Sequence, residues 1–433
     1  MSVNNFQVIE HTVPGCHIRE YAGSTAGRQE EVLHLHVKQY TPLDQPKPPS
    51  PDAVTIIAAH GIGLAKELYE PLWDEVLQRS KQNGFQIRSI WVADVANMGM
   101  SGVINEDKLS TDCSWMDHPR DLLLMINHFR DQMPRPLVGL GHSFGGAIMT
   151  NLAYLHPRLF TTLILLDPAI QLNPPPMGFV SDPPGPINFT LYRPDVWPSR
   201  QAATAAYRKM FPKMDRRCVD RMEEFGFRDL PTALHPELLE GSDPSNPPVT
   251  LTTSKYQDLL GQARANFSAR TPDGRIQVDR STHADMDPLA AFIPVYRPEP
   301  RSTFLRLPTL RPSVLWVLGE KSYLRLDEIR EGIKTCGDGV GGSGGASQGK
   351  VKEVEILRGS HFFPFENVAE TAEFCASWLG QDLLKFVIAE KEWAKQRHEM
   401  SKRAHLVLGE DWFKTIKPMS AFRPANKPRK ERL

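Results

Sequence analysis

Three short stretches of this 433-residue chain carry side chains whose types and spacing suit nucleophilic catalysis. The sharpest is Gly141-His142-Ser143-Phe144-Gly145, a G-x-S-x-G pentapeptide between an apolar run at 137–140 and a helical pattern at 145–155. A serine on a tight strand-to-helix turn projects its hydroxyl clear of the backbone, and glycines beside it let neighbouring chain pass close by. The Phe144 amide then opens a helix, where partial positive charge favours an oxyanion. The second stretch, His60-Gly61-Ile62-Gly63, follows an apolar run at 53–59 and offers the Ile62 amide as a second oxyanion donor. Gly61, His142 and Trp115 are expected to border the substrate. The third is His361, in Arg358-Gly359-Ser360-His361-Phe362, behind a late strand-like run at 353–357. A serine hydroxyl needs an adjacent base at neutral pH, normally imidazole, and no other histidine lies on a loop behind a late strand.

The imidazole in turn needs an acid to hold its tautomer and stabilise its charged form. The expected place follows the run at 314–318, but the chain there reads Gly319-Glu320-Lys321-Ser322-Tyr323, with Ser322 where an aspartate is expected. Asp167 closes the run at 163–166. Adjacent strand ends lie close together, so Asp167 is the preferred acid, with Glu320 and Asp327 as alternatives.

Positioning these groups requires a particular kind of sheet. The apolar runs at 53–59, 86–95, 136–140, 163–166, 314–318 and 353–357 read as strands, and helical spacing at 68–79, 122–129, 145–155 and 367–396 alternates with them. Such alternation implies a mostly parallel sheet with helices on both faces. Residues 31–40 read as an edge strand, and Ser114 with Asp117 as a capping box. The alternation breaks between 169 and 310, a proline-rich stretch with helical pieces near 200–211 and 256–267. This gives a first core part at 1–168, an inserted cap at 169–310, a second core part at 311–400 and a tail at 401–433. Residues 337–349 are glycine-rich and read as a mobile loop.

Composition narrows the function classes. Fifty-one basic residues balance 51 acidic ones, which argues against nucleic-acid binding through bulk charge. No apolar run approaches the roughly 18–20 residues of a membrane span, and the first residues lack the pattern of a secretory signal. The five cysteines are scattered, which suits a reducing compartment and excludes a disulfide framework. His34-x-His36 has no third ligand, and Gly339-Val340-Gly341-Gly342-Ser343-Gly344 has no strand before it. No metal and no cofactor are expected.

Longer phrases carry a resemblance: Glu10-His11-Thr12-Val13-Pro14, His17-Ile18-Arg19-Glu20-Tyr21, Lys66-Glu67-Leu68-Tyr69-Glu70-Pro71-Leu72-Trp73, Arg88-Ser89-Ile90-Trp91-Val92-Ala93-Asp94, the elbow, and Tyr296-Arg297-Pro298-Glu299-Pro300. With them the chain resembles the α/β-hydrolase superfamily, and within it the fungal peroxisomal group of the yeast peroxisomal lipase and the AK-type toxin hydrolases. The resemblance implies an α/β-hydrolase fold, Ser143 as nucleophile, His361 as base and Asp167 as acid. It also implies an acyl ester or thioester substrate, in fungal lipid or toxin metabolism, and a peroxisomal address. Two phrases depart from the group. His60-Gly61-Ile62-Gly63 replaces an expected His-Ala-Asn-Gly. At the tail, Arg432-Leu433 fits a Ser-Lys-Leu-type signal for an import receptor, but Glu431 stands where a small residue belongs; without that signal the location is cytoplasmic. The expected activity is serine hydrolysis through an acyl-enzyme. Acyl transfer on the same three residues and non-catalytic ligand binding are the alternatives.

Overall fold

A strand buried on both faces is dominated by apolar residues, and the central strands of this protein follow that rule with a few buried polar positions such as Thr55, Ser89 and Thr162. The computed structural model describes residues 5–173, 185–237, 243–267, 270–274, 282–283, 285–286 and 293–416. Its main sheet has eight strands: β1 (Phe6–Pro14), β2 (His34–Pro42), β3 (Val54–Ala59), β4 (Ile87–Ala93), β5 (Leu137–His142), β6 (Thr162–Leu166), β7 (Ser313–Lys321) and β8 (Val351–Ser360). Their spatial order is β1-β2-β4-β3-β5-β6-β7-β8. The six strands from β4 to β8 are mutually parallel, and β2 runs antiparallel to both of its neighbours. This is the expected α/β-hydrolase architecture, with all six parallel strands ending on one edge.

Alternate residues of each strand feed two cores. Ile56 and Ala58 of β3 pack with Leu72, Trp73 and Val76 of the helix Glu70–Ser80 and with Cys375 and Leu379 of the long helix Val368–His398. Ile57 and Ala59 face the opposite way, toward Leu122 and Met125 of the helix Asp117–His128 and Ile148 and Leu152 of the helix Phe144–Leu155. A period of two along the strand sends side chains to both layers, so apolar residues recur at consecutive positions, with the buried Thr55 as the exception.

Four local expectations need correcting. Residues 31–40 are not the sheet edge, because β1 lies outside β2, in register from Phe6↔Pro42 to Pro14↔His34. Only Phe6 and Val13 of β1 are buried, so the strand carries almost no alternation to detect. The capping box at Ser114 does not form. Ser114 Oγ instead accepts from the Met116 amide and donates to Glu299, while Asp117 Oδ1 accepts from the Glu20 amide. The second helical piece ends early, at Lys255–Gln262, and the chain continues into a short strand, Arg264–Ala265, paired with Val295–Tyr296. The glycine-rich loop is tied down: the amides of Gly337, Gly339 and Ser343 donate to the carbonyls of Leu307, Pro308 and Leu310.

Between β6 and β7 the described residues form further helices, among them Arg200–Met210 and Arg216–Phe225, and a small sheet of Val196–Trp197, Val249–Leu251 and Phe227–Asp229. The chain divides into two compact units, Met1–Leu383 and Leu384–Leu433. The first holds the whole sheet; the second carries the end of the long helix and a short helix, Glu410–Thr415. Arg432 and Leu433, read as an address, lie outside the described residues. Among the described residues no helix is long and apolar enough to cross a membrane.

Candidate active site

In an open parallel sheet, ligands meet the carboxyl ends of the strands. Here those ends carry His60–Gly63 behind β3, Ser143 behind β5, Asp167 behind β6, Ser322 behind β7 and His361 behind β8. Ser143 sits at φ +56° and ψ −119°, a backbone conformation costly for a side-chain-bearing residue. The flanking glycines make it possible. A Cβ on Gly145 would lie 2.1 Å from the Ala59 carbonyl oxygen, and one on Gly141 would lie 2.1 Å from the Gly145 oxygen. The strand β6 pins the bend from the other side: the Ser143 amide donates to Leu166 O at 2.9 Å, and the Ala169 amide donates to Ser143 O at 2.9 Å.

The bend presents Ser143 Oγ to His361 Nε2 at 2.9 Å. On the far side of the ring, Nδ1 meets Asp167 Oδ2 at 2.5 Å. A carboxylate oxygen only accepts, so Nδ1 carries the proton, and Nε2 is left with the lone pair that receives the serine proton. His361 is 3% exposed and Asp167 is fully buried. Burying a charge is costly unless donors surround it, and Asp167 has two more. Ser322 Oγ donates to Oδ2 and the Gly319 amide donates to Oδ1 at 3.2 Å. Asp167 itself lies at φ +42°, and its amide donates to Val317 O.

The alternative acids lie elsewhere. Glu320 Oε2 accepts from the Arg358 amide at 2.7 Å, and Oε1 pairs with Lys321 at 2.7 Å. Lys321 and the Arg358 amide hold its carboxyl below the usual range, at the solvent-facing rim. Asp327 lies in the first turn of the helix Leu326–Thr335. Neither approaches His361 within hydrogen-bonding distance, so the structure brings together Ser143, His361 and Asp167 and leaves Glu320 and Asp327 apart.

The two oxyanion candidates differ in their support. The Phe144 amide is the first of its helix and has no carbonyl a turn earlier to bond. The Ile62 amide belongs to the same rigid peptide plane as the Gly61 carbonyl. That carbonyl accepts from His60 Nδ1 at 2.8 Å, and His60 Nε2 accepts from the Val95 amide at 3.2 Å. With the Gly61 oxygen held toward His60, the Ile62 N–H points the opposite way. Burial keeps His60 below its ordinary pKa, hence neutral, as this pattern requires.

The three residues expected to touch substrate face inward. His142 has no exposed surface and both ring nitrogens are bonded within the protein. The Gly61 amide donates to Tyr69 Oη at 2.9 Å. Trp115 is 4% exposed, donates its indole N–H to Gly261 O at 2.7 Å, and packs edge-on against Phe144 at 4.8 Å. Two residues hydrogen-bonded to these groups, Tyr69 and Ser322, are missed by the sequence reading. Tyr69 was visible only as one letter of a resembling phrase, and Ser322 was read as a missing acid rather than as a donor to the acid next door. Among the described residues no group of three or more His, Cys, Asp or Glu is placed to hold a metal ion.

Comparison with known proteins agrees with the fold. The alpha/beta hydrolase family profile matches residues 56–374. A Type I acyl-CoA thioesterase of Penicillium roqueforti is 59% identical over 441 residues, covering 100% of both chains. One of Penicillium brevicompactum is 59% identical over 431 residues, covering 98% of both. An abhydrolase domain-containing protein of Alternaria alternata is 26% identical over 66% of this chain and 98% of its own. Among solved structures, the peroxisomal alpha-beta-hydrolase Lpx1 of Saccharomyces cerevisiae superposes with a TM-score of 0.61 at 17% identity, covering 92% of this chain and 100% of that one. With a profile match across most of the sheet and full-length relatives of this similarity, the chain belongs to the alpha/beta hydrolase family.

Proposed function

We propose that the protein is an acyl-CoA thioesterase that works through an acyl-enzyme on Ser143. The observation that carries this is the unbroken line from Ser143 Oγ through the His361 ring to Asp167; the full-length likeness to acyl-CoA thioesterases supports the thioester class. Ser143 Oγ attacks the thioester carbonyl as its proton passes to His361 Nε2. Asp167 steadies the imidazolium. The Ile62 and Phe144 amides hold the oxyanion. The C–S bond breaks, and the coenzyme leaves as a thiol with the proton from Nε2. Water, deprotonated by the same nitrogen, then releases the carboxylic acid and restores Ser143.

The segment between β6 and β7 acts in this reading as a cap that selects the acyl part. Its helix Lys255–Gln262 presses Asp258 against Gly63 of the oxyanion loop, where a Cβ would lie 2.4 Å from Asp258 Oδ2. The reading extends to a peroxisomal destination addressed by the basic segment 427–433 with Arg432-Leu433 at its end; a full-length fluorescent fusion that stays out of peroxisomes contradicts the destination, and unchanged entry without Arg432 and Leu433 rules out the tail as the address.

The test is thiol release from a series of acyl-CoA thioesters of increasing chain length, beside matched p-nitrophenyl esters. Ser143→Ala is expected to lower kcat by roughly five to six orders of magnitude. Turnover of the esters with no turnover of any thioester would contradict the substrate class. Full turnover by Ser143→Ala would contradict the mechanism.

A further inference from the structure

Four groups behind the site are joined by a single directed line of hydrogen bonds. The Gly61 amide donates to Tyr69 Oη at 2.9 Å. Tyr69 Oη lies 2.7 Å from His142 Nδ1, and His142 Nε2 lies 2.9 Å from the His361 carbonyl oxygen. The direction is forced at the far end. A carbonyl only accepts, so Nε2 carries the His142 proton. A neutral ring then has its lone pair at Nδ1, which accepts the Tyr69 hydroxyl proton. The phenol oxygen, having given its proton, remains free to accept from Gly61. Every donor has one acceptor, and no second arrangement of protons satisfies the line with a neutral ring.

Both rings are enclosed. Tyr69 is 1% exposed and His142 has no exposed surface. Phe365 packs edge-on against each, at 4.8 Å from Tyr69 and 5.5 Å from His142. Burial, followed by the nearby His361 ring, holds His142 well below its ordinary pKa and so keeps it neutral. Tyr69 stands at the N-cap of the helix Glu70–Ser80, which fixes its Cα relative to the sheet.

We propose that Tyr69 and His142 are positioning residues that hold the oxyanion loop and the catalytic imidazole at a fixed separation. One end of the line grips Gly61, the residue before the proposed Ile62 donor. The other end grips the backbone of His361 itself. Both groups must meet the same tetrahedral centre, one at the developing oxyanion and one at the transferring proton. Tyr69 and His142 are buried, and their polar atoms are bonded within the protein, so in this proposal neither binds the substrate. Their contribution therefore belongs to the transition state and appears in kcat, not in KM. The inference rests on the proposed roles of Ser143, His361 and Ile62.

Tyr69→Phe keeps the ring and removes the hydroxyl. It is expected to lower kcat toward an acyl-CoA by roughly 10- to 100-fold, the scale of a misplaced reacting group, with KM unchanged within about threefold. A pair at the other residue separates hydrogen bonding from packing. His142→Gln places an amide N–H near the lost Nε2–H and keeps the bond to the His361 carbonyl; His142→Leu keeps only bulk. The Gln variant is expected to retain at least about tenfold more kcat than the Leu variant. Labelling of Ser143 by a fluorophosphonate is read in parallel and is expected to slow with kcat. Labelling needs no particular substrate, so it reports on this line even if thioester turnover is absent and the substrate class fails. Wild-type kcat and labelling in Tyr69→Phe would overturn the proposal, as would a raised KM at unchanged kcat. If Tyr69→Phe does not fold, the His142 pair decides: equal kcat in the Gln and Leu variants overturns it.

Discussion

The ends of β6 and β7 lie side by side and both offer a carboxylate, yet they do different work. Asp167, behind β6, is fully buried and gathers the His361 ring, the Ser322 hydroxyl and the Gly319 amide. Glu320, the last residue but one of β7, is partly exposed, braces the Arg358 amide and pairs with Lys321. Arg358 is at φ +58°, so the amide that Glu320 receives belongs to a bend leading to His361. One strand end thus supplies the charge, and its neighbour supplies donors and scaffolding for that charge. With Asp167 as the proposed acid, Ser322, just past β7, holds a hydroxyl that donates to the carboxylate one strand over.

Breaking the first end is expected to have the largest effect. Asp167→Asn leaves the shape and removes the charge, and it presents an amide to a ring that needs an acceptor. We expect kcat to fall by roughly 10⁴-fold in a thioester assay, as when a triad imidazole is left in the wrong tautomer. Ser322→Ala removes one of three donors to Asp167 and is expected to lower kcat by roughly tenfold, the scale of one hydrogen bond to a charged group. A loss as large as that of Asp167→Asn would show that Ser322 acts directly. Glu320→Gln should change kcat by less than about twofold, since its contacts are solvent-facing. If the two carboxylate variants exchange these effects, the assignment of the acid is wrong.

Buried histidines near the elbow offer a further test, of smaller expected size. His60, His118 and His142 are buried around the elbow, and burial holds each below its ordinary value of 6.5. Just beneath that pH they bind more protons in the unfolded chain than in the folded one. These three groups therefore contribute stability that rises with pH up to about 6.5, while Asp117, whose carboxyl burial pushes up to about 7, contributes the opposite slope in the same window. Melting temperatures between pH 5 and 7 isolate the His142 part by difference: on acidification His142→Gln should lose less than the wild type does. An unchanged slope in that variant would show that His142 takes no part in the effect.

The parts of the fold that were legible in the sequence are those where burial leaves a pattern. Val54–Ala59 and Thr162–Leu166 are buried throughout, and their residues are apolar apart from Thr55 and Thr162, so the runs at 53–59 and 163–166 stand out. The elbow was legible because close backbone approach admits only glycine at Gly141 and Gly145. By contrast, β1 is defined by its register with β2, a relation between distant segments that leaves little mark on β1 itself. The small sheet between β6 and β7 uses strands of two or three residues, too short to show a period. Tyr69 looks like any aromatic residue at a helix start, and only the fold reveals that its hydroxyl meets Gly61 and His142. The absence of an acid at Ser322 was plain in the sequence. That its hydroxyl serves Asp167 was not, because the two are brought together across neighbouring strands.

The central claim is that Ser143 carries the acyl group between the two halves of the reaction. Mixing the enzyme with an acyl-CoA, quenching in acid during turnover and mapping the peptides by mass spectrometry reads it directly. The account predicts one added acyl group on the peptide that contains Ser143, lost in Ser143→Ala together with turnover. An acyl group on another residue, or undiminished thiol release from Ser143→Ala, would contradict it.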